Sequence, residues 1–199
     1  MYLYVKRLLD IALAIVFLAA LSPVFAALFL AVRLTSPGGA FFTQRRVGRG
    51  KALFNMIKFR TMRADAPSDV PTHLLKDPYA YITPVGRFLR RTSLDELPQL
   101  VNILRGDMSF VGPRPALWNQ YDLIAARDAC GANDIRPGLT GLAQVSGRDE
   151  LPIPKKAAYD GDYRKRMSFL LDCSLMLRTV SSVAGAKGVK EGGAGGDAR

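Results

Sequence analysis

"IALAIVFLAALSPVFAALFLAV", residues 11–32, carries no charge and holds Ser22-Pro23 at its middle. As one straight helix, its 22 residues reach roughly 33 Å at ~1.5 Å per residue, enough to cross a hydrocarbon core. A cleavable signal peptide would use Lys6 and Arg7 as its basic region, but the apolar run is too long and no clear cleavage site of small residues follows it. Hydropathy alone favours a spanning helix, and two features oppose it. Proline removes a backbone hydrogen bond and kinks a helix where it stands. Basic residues also flank both ends, Lys6 and Arg7 before the run and Arg33, Arg45 and Arg46 after it, which favours keeping both ends on the cytoplasmic side. A helix bent at Pro23 that enters and leaves by one face satisfies both features. The expectation is a re-entrant membrane helix over residues 1–34, a catalytic domain on the cytoplasmic face over 35–183, and a disordered glycine-rich tail over 184–199.

The 199-residue chain is long enough for one domain with a core and short for two. It holds 28 Lys and Arg against 17 Asp and Glu, a net charge of +11, so an anionic partner is expected: nucleic acid, acidic lipid or a phosphorylated substrate. No acidic residue falls between Asp10 and Asp65, where Arg33, Arg45, Arg46, Arg49, Lys51, Lys58, Arg60 and Arg63 all lie. Cys130 and Cys173 lack metal-ligand spacing and are too few for a disulfide framework. His73, the only histidine, sits in a polar loop, which argues against a histidine triad or a zinc site. Neither a P-loop nor Gly-x-Gly-x-x-Gly is present.

Beyond the apolar run, β-prone stretches on either side of "VGRGK" predict a hairpin within 39–63, and residues 64–84 read as a polar loop. Apolar residues at helical spacing predict helices over about 94–105, 116–131 and 156–183, with 136–154 an ordered Gly/Pro-rich loop system. The fold class is therefore α+β and mainly helical: a re-entrant helix broken at Ser22-Pro23, a small β-hairpin and amphipathic surface helices around the site.

"TSLDELPQL", residues 92–100, places Asp95 beside Glu96. Ser93 and Glu96 match a capping box, and acidic residues in a first helical turn suit the macrodipole, so a plain helix start explains the motif. Its surroundings favour chemistry. Arg87, Arg90 and Arg91 come just before it, and arginine forks suit phosphate oxygens. Carboxylates sharing a site with phosphate repel it, unless one is a nucleophile and the other holds a divalent cation that bridges to it. In "SFVGPRP", Arg114 lies between two prolines, a rigid turn or a preorganised phosphate contact. In "IKFRTM", Lys58 and Arg60 would project from one strand face.

"KRLLDI…LSP", "QRRVGRGKALFNMIKFRTM", "VGRFLRRTSLDELPQLVNILRGDMSFVGPRP" and "RPGLTGLAQVSGR" together resemble, in order, the bacterial sugar transferases of the small monotopic phosphoglycosyl transferase type, over about residues 4–181. The resemblance implies transfer of a phospho-sugar from a UDP-sugar to undecaprenyl phosphate with release of UMP, starting a surface glycan. It implies a re-entrant anchor broken at Ser22-Pro23, Asp95 as nucleophile and Glu96 as Mg²⁺ ligand. It also places Lys58, Arg90, Arg114 and Arg148 against substrate phosphate or nucleotide. The stretch "YDGDYRKRMSFLLDCSLML" departs from the family pattern, so Asp160 and Asp162 receive no firm role. A basic nucleic-acid module explains the charge but not the dyad, and few aromatics interleave with the cations as a stacking surface needs. A scaffold subunit would leave Asp95 dispensable.

Overall fold

The computed structural model describes residues 2–67, 77, 79–147 and 151–184. His73, Arg148 and the tail beyond residue 184 lie outside them.

The chain opens with α1 (Tyr2–Ala20) and α2 (Ser22–Thr35), set at 66° to each other. Pro23 has no N–H to give the Ala19 carbonyl, and the Ser22 hydroxyl donates to that carbonyl instead, at 2.8 Å. The bend therefore leaves this carbonyl satisfied in an apolar segment. No single helix among the described residues is long and apolar enough to cross a membrane; α1 and α2 meet that test only as a bent pair. Along both, Leu8, Ile15, Val16, Leu30 and Leu34 are exposed. On the inner side Ala14 and Val32 are buried.

β1 (Phe41–Val47) and β2 (Leu53–Phe59) form the expected antiparallel hairpin, with Phe42 opposite Lys58 and Val47 opposite Leu53. The turn between them is one short 3₁₀ turn, Arg49–Lys51. A ring cluster of Phe25, Phe29, Phe41 and Phe59 packs the hairpin onto α2, with Phe25 and Phe59 centroids 5.0 Å apart.

Next comes a helix the sequence reading placed no element on, α3 (Pro84–Thr92). Its signal was present: Thr83 caps it by accepting from the Gly86 amide at 2.9 Å, and Pro84 occupies the first turn, where a missing N–H costs nothing. The helix expected over 94–105 is shorter. Residues Leu94–Glu96 form a 3₁₀ turn, and α4 proper is Gln99–Arg105, ended by Gly106 in the left-handed region. Pro98 explains the delay, because it cannot donate to the preceding turn. The capping box does not form. Ser93 is itself left-handed (φ 56°), closes α3, and makes no side-chain cap.

β3 (Ser109–Val111) and β4 (Gly138–Thr140) make a short parallel pair that the sequence reading did not place. Between them lies α5 (Tyr121–Cys130); after them come α6 (Leu142–Val145), α7 (Ile153–Arg166) and α8 (Phe169–Ala184). The single helix expected over 156–183 is thus two. Met167 leaves the helical region, and the Ser168 hydroxyl accepts from the Leu171 amide to start α8. Leu100, Ile103, Met108, Phe110, Val111, Tyr163 and Leu175 form the main core, joined by Ala14 from α1 and Met56 from β2. Phe169, Leu170, Leu177 and Val180 of α8 stay exposed.

Candidate active site

Asp95 and Glu96 sit on the 3₁₀ turn between α3 and α4, so adjacent carboxylates are presented before α4 begins. β2 brings Lys58 to them. Its Nζ lies 2.7 Å from Glu96 Oε1 and 3.9 Å from Asp95 Oδ2. From the opposite side Arg114 reaches the same Glu96 oxygen at 3.2 Å. Glu96 Oε2 accepts no hydrogen bond among the described residues. All three inner groups are largely buried, whereas the Arg114 side chain is 46% exposed.

The electrostatics separate the two carboxyls. Burial raises both, but at Glu96 the Lys58 ammonium and the Arg114 guanidinium outweigh it and bring the pKa down to about 2. At Asp95 burial prevails; Lys58, Arg90 and Arg114 oppose it, the Glu96 charge adds to it, and the carboxyl stays above its ordinary value. One carboxylate is thus firmly ionised beside a second that is poorly solvated, an arrangement suited to cation binding next to a nucleophile.

The supports are residues that sequence reasoning did not single out. Asn102 on α4 accepts from the Ile57 amide at 3.0 Å and donates to the Asn55 carbonyl at 2.9 Å, fixing β2, and so Lys58, against the helix that follows the dyad. Arg114 is held through its backbone. Arg127 of α5 donates to the Arg114 carbonyl at 2.9 Å, Arg46 donates to the Pro115 carbonyl, and the Gly138 amide donates to Pro113. At Gly112 a Cβ would stand 2.4 Å from the Arg136 carbonyl, so only glycine lets the two chains approach there. Arg127 in turn forms a buried ion pair with Asp160 at 2.7 Å, which gives Asp160 a structural place; among the described residues Asp162 pairs with exposed Arg166. No composition signal points to Arg127 or Asn102, since their partners lie far away in sequence.

Of the other residues singled out, Arg90 donates to the Thr61 hydroxyl at 2.9 Å and lies near enough to act on Asp95. Arg60 does not share a site with Lys58; it reaches the Phe41 carbonyl. Arg148 falls outside the described residues. Cys130 and Cys173 are both free thiols.

Among the described residues no group of three or more Asp, Glu, His or Cys converges on a point. A magnesium ion does not require such a cage: one or two carboxylates with phosphate oxygens and water suffice. The ionised Glu96, with Oε2 unclaimed, fits that pattern.

A family model described as bacterial sugar transferase matches residues 1–186. The UDP-glucose:undecaprenyl-phosphate glucose-1-phosphate transferase of Caulobacter vibrioides is 42% identical over 187 residues, 89% of this chain and 69% of that protein. The exopolysaccharide production protein ExoY of Sinorhizobium fredii is 36% identical over 197 residues, 92% of this chain and 87% of that protein. The undecaprenyl-phosphate galactose phosphotransferase of Salmonella typhimurium is 36% identical, and there the match covers 90% of this chain but 40% of the relative.

Proposed function

This chain belongs to the bacterial sugar transferase family, and from that membership we propose that it moves a phospho-sugar from a UDP-sugar to undecaprenyl phosphate on the cytoplasmic face of the inner membrane. The observation that carries the reading is the dyad itself: Asp95, desolvated, beside an ionised Glu96, with Lys58 and Arg114 offsetting the pair's negative charge.

In the first half-reaction an Asp95 oxygen attacks the phosphorus that bears the sugar. The bond to the bridging oxygen of the diphosphate breaks, and UMP leaves with that oxygen and its electron pair, needing no proton at neutral pH. In the second half-reaction a phosphate oxygen of the lipid attacks the same phosphorus. The acyl–phosphate bond breaks, Asp95 returns as carboxylate, and undecaprenyl-diphospho-sugar is formed. Arg114 and Lys58 offset phosphate charge as the diphosphate enters, and Arg90 lowers the charge repulsion at Asp95. Mg²⁺, held by Glu96, supplies further neutralisation of the diphosphate when bound. Arg148 belongs to the same substrate contacts in this reading. In this reading the bent α1–α2 pair enters the membrane from one side and, with the exposed apolar residues of α8, holds the dyad near the headgroup plane where the lipid phosphate lies; the exposed apolar residues support it.

The test is UMP release by detergent-purified protein with Mg²⁺ and undecaprenyl phosphate, across a panel of UDP-sugars that includes UDP-glucose and UDP-galactose. Wild type releases UMP from at least one donor, and Asp95→Asn releases none and forms no phospho-adduct. UDP as the released nucleotide would replace this mechanism by direct glycosyl transfer. An active Asp95→Asn would remove Asp95 as nucleophile.

A further inference from the structure

A second cationic recess lies at the other end of α4 from the dyad. Arg7 from α1 donates to the Ile103 and Leu104 carbonyls at 2.6 and 2.8 Å, and Arg136 donates through Nε to the Gly106 carbonyl at 2.8 Å. Both guanidiniums therefore cap the C-terminus of α4, whose partial negative charge favours cations there. Arg49, from the hairpin turn, reaches the same place by donating to the Asp134 carbonyl. These three residues and Ser109 line a partly open cleft of about 30 Å³, room for a water or two or for the leading oxygens of an oxyanion.

Helix capping does not account for the whole arrangement. None of the three guanidiniums pairs with a carboxylate among the described residues; burial, and then the charges of Arg7 and Arg49, hold Arg136 below its ordinary pKa against the opposing charge of Asp10. Of the acids in the wall, Asp10 is engaged by the Phe110 amide and Asp134 by Arg164. Lys6, also in the wall, is neutralised by Asp172. Arg136 has only Nε engaged, so its two terminal nitrogens remain for a ligand. Most tellingly, Ser109, 1% exposed, lines the same cleft, and its buried hydroxyl has no hydrogen-bond partner among the described residues. A buried unpaired hydroxyl is destabilising, and an acceptor bound within its reach would remove that cost.

We propose that Arg7, Arg49, Arg136 and Ser109 form an oxyanion site for a phosphate group, separate from the catalytic dyad. The group comes from a phospholipid headgroup or from a soluble phosphate. The cleft opens beside the first turns of α1, where Leu3, Tyr4 and Leu8 are exposed, which puts it at the foot of the apolar hairpin.

The experiment is native mass spectrometry of the full chain in neutral detergent and phosphate-free buffer. It is titrated in one arm with phosphatidylglycerol and in the other with inorganic phosphate. Arg49→Gln changes an exposed side chain and Ser109→Ala removes only an unpaired hydroxyl, so both variants fold; Arg136→Gln completes the set. Arg114→Ala isolates any phosphate held at the dyad. An adduct that weakens about tenfold or more in the three variants, but persists in Arg114→Ala, supports the site. Seen with the lipid alone it identifies a headgroup; seen with inorganic phosphate it identifies a soluble ligand. No adduct in either arm, or equal affinity in wild type and the three variants, overturns the proposal. None of these readouts depends on transferase activity.

Discussion

Lys58 is the residue on which both carboxylates depend, since it lowers the pKa of Asp95 and of Glu96 together. Removing its charge must raise both. The proposed mechanism needs both ionised, so the acid limb of the pH–rate profile for UMP release should move to higher pH in Lys58→Met and stay near its wild-type position in Lys58→Arg. An unmoved limb in Lys58→Met would detach Lys58 from the dyad. Arg127 acts one step further out. Asp160→Asn leaves its guanidinium buried without a counter-charge, and should cost about 3–5 kcal/mol of stability by denaturant unfolding. The double variant Arg127→Met/Asp160→Leu should recover most of that loss, because apolar replacement of a buried pair is often neutral. It should still bind the UDP-sugar more weakly, with a raised KM, since Arg114's carbonyl has lost its donor. Full recovery of KM would make the pair purely structural. The sequence pointed to Lys58, Asp95, Glu96 and Arg114 through their types, their neighbours and the family resemblance, and the fold brings the four together. Asn102 and Arg127 were not, because what they do depends on backbone groups that only folding brings to them.

Single prolines and serines decide the elements, and the sequence disclosed some of their effects. Pro23 read correctly as a break, and the hairpin about Gly48–Ala52 was legible from strand propensity and turn residues. Ser93 misled, because its spacing to Glu96 is that of a capping box while its backbone closes α3 in a left-handed conformation. With Ser93 turned left-handed no box forms, and the Glu96 carboxylate reaches Lys58 and Arg114 instead. α3 was missed because Gly86 and a basic run weaken its pattern, although Thr83-Pro84 marks its start. The bend at Leu21 carries its own test. In a cysteine-free background (Cys130→Ala, Cys173→Ala), single cysteines at Tyr4 and Leu34 should both react from the cytoplasmic side of intact cells' membranes. Replacing Ser22 and Pro23 together by Ala restores the backbone N–H at position 23 and removes the competing hydroxyl, so part of the population should straighten and expose one reporter on the far side. Wild-type reporters on opposite sides would refute the re-entrant reading.

At the scale of the molecule, the net charge of +11 and the apolar hairpin make different claims about membrane attachment. If charge held the protein to anionic lipid, salt at about ten times physiological ionic strength would shorten the Debye length to roughly 3 Å or less and strip it off. The exposed apolar surface of α1 and α2 predicts the opposite: the protein stays with membranes through 1 M salt and alkaline carbonate and leaves only in detergent. The same hairpin is also part of the core. Ala14 is fully buried among residues of β2, α4, β3, α7 and α8, Lys6 meets buried Asp172 on α8, and Asp10 accepts from the Phe110 amide of β3. Deleting residues 2–35 therefore uncovers the main cluster and leaves Asp172 without its cation. The remainder should be unfolded or aggregated, giving no cooperative transition in thermal unfolding, and not a soluble enzyme freed from its anchor. A soluble, cooperatively folding 36–184 fragment would show that α1 merely rests on the catalytic unit. The expected result means that attachment and folding share one element, so a variant that loosens α1 should lose membrane retention and thermal stability together.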